Sequence, residues 1–146
     1  MSTLRLPYPK LSAAAYQGLG TAHAALAKSP LGPLLLELVY LRVSQINGCA
    51  YCLGLHTQSL RDQGESQKRL DVLSAWRHSS AFSERERAAL TWAESMTELG
   101  PVGGGSDAEY DALRAHFSDV EISDLTLAVA LMNAYNRMAI GMRQLG

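Results

Sequence analysis

Apolar residues recur along this chain at the three-to-four spacing of helices, and no stretch keeps the period of two that a strand needs. Residues 1–10 carry two prolines and read as an extended arm. The alanine-rich stretch 11–27 predicts a helix, weakened by Gly18 and Gly20. Ser29-Pro30-Leu31-Gly32-Pro33 breaks it, and Pro33 suits the first turn of a second helix, 33–45. There Leu34, Leu35, Leu38, Leu41 and Val43 cover almost the whole circumference, which predicts a buried helix. Asn47-Gly48 marks a turn, and a third helix, 49–63, closes at Gly64. A short helix over 66–78 turns Leu70, Val72, Leu73 and Trp76 inward. Ser83 and Glu86 have the capping-box spacing and open a helix to about 99, with Trp92 inward. The glycine-rich run 100–105 is a loop. Ser106 then caps a helix to 117, and Ser118 with Glu121 starts a last helix to 143. The pattern predicts an all-α bundle of six to seven helices, one domain over residues 1–146.

Composition narrows the class. Hydrophobic residues are 47% of the 146, charged residues 18%, and the formal net charge is −1. No basic excess argues for nucleic acid. The N-terminus has neither the basic flank nor the apolar stretch of a signal peptide, and the longest apolar run, 127–132, is too short to span a bilayer. A cytoplasmic protein without a membrane partner is expected. An apolar-rich, charge-poor chain of this size also suits an oligomer.

The chemistry concentrates between Glu37 and His56. Cys49 and Cys52, the two cysteines of the chain, are spaced CxxC, and His56 follows four residues later. In a reducing compartment that spacing favours redox or metal chemistry over a structural staple. Just past a turn, at a helix start, unpaired backbone N–H groups favour a thiolate. Positions 49, 52 and 56 share one helical face, so His56 can take a thiol proton or stabilise the thiolate. Glu37, a lone carboxylate in an apolar run, reaches that face once the Asn47-Gly48 turn folds the two helices together. The expected relay is Glu37 to His56 to Cys52, with Cys49 as resolving thiol. Such a unit reduces a peroxide by way of a sulfenic acid. Two other readings stand beside it: a pair of inert buried thiols, and a zinc site using Cys49, Cys52, His56 and Glu37.

The pattern of Glu37, Cys49, Cys52 and His56 resembles the AhpD-like alkylhydroperoxidases of the carboxymuconolactone decarboxylase-like superfamily, strongly over 31–65 and loosely elsewhere. The resemblance implies a homo-oligomer, trimeric or hexameric. It also implies peroxide reduction with Cys52 attacking, Cys49 resolving, and Glu37 with His56 moving the proton. Reducing equivalents would come from a thiol or dithiol, a lipoylated protein among the possible donors. One departure stands out. The best-known members carry a histidine immediately before the second cysteine; here it is Tyr51, and a phenol with a pKa near ~10 is no base at neutral pH.

The expected function is reduction of hydrogen peroxide or small organic hydroperoxides, with no haem, flavin or metal cofactor. The alternatives are a protein disulfide oxidoreductase and a redox-sensing or metal-binding interaction module. Asn133, Asn136 and Arg137 share a face of the last helix and read equally as a polar lining near the site, a subunit contact, or an exposed helix end. His23, His78 and His116 have no acidic or thiol partner at useful spacing, and the sequence assigns them no role.

Overall fold

Three helices begin on the same local device. Ser83, Ser106 and Ser118 each accept a hydrogen bond from the backbone N–H three residues on, while Glu86, Glu109 and Glu121 reach back to the serine's own N–H. Each box satisfies two donors that a helix start would otherwise leave unpaired. The computed structural model describes residues 4–146. Among them the elements are α1 (Tyr8–Leu11), α2 (Ala13–Leu26), α3 (Pro33–Asn47), α4 (Ala50–Asp62) and α5 (Gln67–Val72). A 3-10 segment (Leu73–His78), α6 (Glu84–Thr97), α7 (Asp107–Arg114) and α8 (Asp119–Gly141) complete the chain. No strand occurs among the described residues, and no helix there is long and apolar enough to cross a membrane.

The all-α expectation holds, with eight α-helices among the described residues where six to seven were predicted. The extra α-helix is α1, and one predicted helix also changes character. Residues 8–11 turn helical where an extended arm was expected, with Pro7 and Pro9 at a helix start that tolerates them; residues 1–3 of that arm lie outside the described residues. The expected helix 66–78 divides because Val72 leaves helical geometry at the end of α5, and Ala75 then kinks the 3-10 segment that follows.

Helix α3 is the centre of the bundle. Val39 and Val43 pack toward α6 and α8, among Ala89, Ala93, Leu125 and Val129. Leu38 and Leu41 face Leu60 of α4, Leu73 of the 3-10 segment and Leu90 of α6. Both faces are filled, as the all-round apolar pattern predicts. Leu34 is the exception: it stands in the first turn of α3 and is 45% exposed. Helix α2 is the opposite case, since Leu26 is the one buried residue in its fourteen.

Candidate active site

The cysteine pair is placed by a helix end and a helix start that share a residue. Gly48 adopts φ +70° after α3, and its N–H donates to the carbonyls of Ser44 and Gln45. The Cys49 N–H also donates to Ser44 O, at 3.1 Å, which completes a Schellman motif. Cys49 is then the N-cap of α4, its Sγ accepting from the Cys52 N–H at 3.2 Å. A side chain at position 48 would be strained, because a left-handed backbone costs an L residue about 1–2 kcal/mol. The two cysteines form a disulfide with Cα atoms 5.3 Å apart, packed against Ala139 of α8.

An amide network fixes the same corner. Asn136 is completely buried; its Nδ2 donates to Ser44 Oγ at 3.1 Å and its Oδ1 accepts from Asn47 Nδ2 at 3.0 Å. Asn47 Nδ2 also reaches Asn133 Oδ1, which in turn accepts from Arg137. Asn133 donates to Thr97 Oγ1 and to the Val129 carbonyl. The cluster the sequence singled out on the last helix therefore ties α8 to the end of α3 and to α6. Its members stand outside the cavity described below.

Glu37 and His56 meet as the fold brings α3 against α4. Glu37 Oε2 lies 2.7 Å from His56 Nδ1, and His56 is 8% exposed. With Nδ1 held by the carboxylate, Nε2 is the ring nitrogen free for chemistry. Tyr40 packs on the imidazole with ring centres 5.4 Å apart. Burial, and then the nearby Glu37 charge, push the Tyr40 phenol far above its ordinary range, so it stays neutral.

Cys52 and His56 open onto one cavity of about 220 Å³. Cys52 is 4% exposed and part of the wall; Cys49 is 1% exposed and lies behind it. The remaining wall comes from Tyr8, Tyr16, His23, Tyr51, Leu55, Met132, Tyr135 and Ala139. Tyr8 packs edge-on to Tyr16 at 5.5 Å, and Tyr16 to Tyr135 at 5.8 Å. Burial raises the phenols of Tyr8 and Tyr135, so both stay neutral at neutral pH. Tyr51 lines the cavity beside the second cysteine. No group of three or more His, Cys, Asp or Glu side chains is arranged to hold a metal ion among the described residues.

The structure thus gathers Glu37, Cys49, Cys52 and His56 in one place. The sequence reading missed the walls that α1, α2 and α8 contribute, above all His23 and the tyrosines. A signal existed: Tyr16 and His23 are seven apart on α2, and Met132, Tyr135 and Ala139 fall at spacings of three and four on α8, each set on one helical face.

Residues 11–95 match the model of the carboxymuconolactone decarboxylase family, and the chain belongs to that family. The protein YdfG of Bacillus subtilis strain 168 is 39% identical over 106 residues, 73% of this chain and 71% of that one. YnjA of Escherichia coli K12 is 32% identical over 106 residues, 73% of this chain and 57% of that one. Both are uncharacterised. Among solved structures, the Agrobacterium tumefaciens protein ATU0492 superposes with a TM-score of 0.90 at 36% identity, covering 97% of this chain and 96% of its own. It is a protein of unknown function proposed as the antioxidant defence protein AhpD. A peroxidase-related protein from Ralstonia eutropha JMP134 with an AhpD core follows at TM-score 0.77, 26% identity, and 90% and 70% coverage. Fold and family are those of AhpD-like proteins.

Proposed function

We propose that this chain is a thiol peroxidase that reduces hydrogen peroxide or small organic hydroperoxides. One observation carries the reading: an imidazole held by a carboxylate at 2.7 Å lines the same cavity as the more exposed of two paired cysteines. In the reduced protein His56 Nε2 takes the Cys52 thiol proton, and Glu37 stabilises the imidazolium that forms. The Cys52 thiolate attacks the terminal peroxide oxygen, giving a sulfenic acid and releasing water or an alcohol. The Cys49 thiol then displaces water from that sulfenic acid and forms the disulfide. A thiol or dithiol donor, a lipoyl group on a carrier protein among the candidates, returns the pair to the reduced state. A reducing cytoplasm suits that half of the cycle.

Protein disulfides are a poorer substrate for this geometry, because both sulfurs are buried and Cys52 is reached through a cavity. The likeness to the AhpD and peroxidase-related structures supports the same chemistry.

The test is a thiol count. The reduced protein, freed of reductant, receives one equivalent of cumene hydroperoxide. Two thiols per chain should disappear within minutes. Cys52→Ser should abolish that loss, and His56→Ala should slow it by roughly 10²-fold. Thiols that persist for hours in the wild type would sink the reading.

A further inference from the structure

Helix α2 brings to the cavity an imidazole that the cycle above does not use. His23 shares the wall with Cys52 and His56. Its ring lies between two phenols, Tyr40 at 5.8 Å with the planes 30° apart, and Tyr135 at 6.4 Å and nearly perpendicular. Tyr40 is also the ring against His56, so the two imidazoles flank one neutral phenol. Beyond His23 lies a second cavity of about 60 Å³, whose wall includes Glu37, Tyr40 and Gln63. That space is roomy enough for a bridging water, and His23, Glu37, Tyr40 and Gln63 give its otherwise apolar wall polar groups to hold one. His23 is the side chain common to the two cavities.

We propose that His23 is a further catalytic residue, the acid that protonates the oxygen leaving the peroxide; this rests on the peroxidase reading. The Cys52 thiolate donates an electron pair to the terminal oxygen of ROOH, and an S–O bond forms. The O–O bond breaks and its pair departs on the second oxygen. Sulfur is oxidised by two electrons and the peroxide is reduced by two. The RO⁻ so formed takes one proton from the His23 imidazolium, directly or through one water, and leaves as ROH. The thiol proton collected by His56 passes by Glu37 and water in the small cavity to recharge His23. The sum is Cys52–SH plus ROOH giving Cys52–SOH plus ROH.

A second imidazole in the same wall lets the two proton tasks be divided. His56 is tied to Glu37 through Nδ1 and has one nitrogen left, for the thiol. A cavity of about 220 Å³ is several times the ~30 Å³ share of a water molecule, so it admits an organic R group beside the peroxide. The alkoxide of such a substrate is a poor leaving group unless protonated.

The experiment compares leaving groups. The reduced full-length protein and its His23→Gln and His23→Ala variants are mixed with excess cumene hydroperoxide, with peracetic acid, and with iodoacetamide. Acetate and iodide leave without a proton; the cumyl alkoxide does not. Both variants should lose roughly 10²-fold in rate with cumene hydroperoxide and stay within about twofold of wild type with the other two reagents. Equal losses with all three reagents would mean that His23 only shapes the site, and no loss with cumene hydroperoxide would mean that it gives no proton; either overturns the proposal and leaves the peroxidase reading intact. A wild type inert to both peroxides yet alkylated by iodoacetamide overturns the peroxidase reading and this proposal together.

Discussion

A carboxylate on a largely buried helix needs a partner, because removing a charge from water without one is costly. Glu37 has that partner in His56, which it meets at 2.7 Å. The pair holds the imidazole in one orientation, and we propose that the carboxylate's charge acts through it to favour the thiolate at Cys52. Glu37→Gln keeps the shape and an oxygen acceptor but removes the charge. The pH at which Cys52 reaches half its maximal rate of alkylation by iodoacetamide should rise by about one unit. A profile that superimposes on the wild type would show that the carboxylate orients nothing of consequence to the thiol. The pairing was legible in the sequence because Glu37 and His56 flank a single Asn-Gly turn, so folding α3 back on α4 is the one step needed to join them.

At the scale of elements, the decisive piece is the join of α3 to α4. Gly48 ends one helix and Cys49 caps the next, so the cysteine pair has no slack of its own. The buried amide of Asn136 locks that join to α8 through Ser44 and Asn47. Asn136→Ala would leave buried polar groups unpaired and should lower the unfolding free energy by roughly 2 kcal/mol. Denaturant titration reads this directly, and a change under about 0.5 kcal/mol would mean that water replaces the amide without penalty. The turn was readable from Asn47-Gly48. That Asn133 and Asn136 brace it was not, since an asparagine on a helix face reads the same whether it meets solvent, a substrate or another amide.

For the whole molecule, α2 is the conspicuous element. It buries Leu26 alone, yet supplies Tyr16 and His23 to the cavity. A helix with so little apolar contact gains little stability from its own chain. Between α2 and α8 runs an apolar groove lined by Leu19, Ala22 and Ala25 on one side and Leu127, Ala130 and Leu131 on the other. Leu127 is 58% exposed. We propose that copies of the chain associate over this groove, in keeping with the homo-oligomer that the family resemblance implies, and that assembly steadies α2 over the active site. Leu127→Glu should then lower the sedimenting mass toward that of one 15.8 kDa chain and slow peroxide reduction. A wild type that already sediments as a monomer refutes the assembly; an unchanged mass in the variant places it on another face.

The sequence by itself determined most of the helices and the grouping of Glu37, Cys49, Cys52 and His56, because capping, breaking and helical periodicity act over a few residues and a single turn folds α3 back on α4. It also determined that α3 is buried, from apolar residues on every side. Tertiary structure decided what surrounds the thiol. Tyr16 and His23 meet Tyr135 from more than a hundred residues away, through the packing of α2 on α8. The register of one helix on another depends on how all their side chains interdigitate, and no local pattern carries that information.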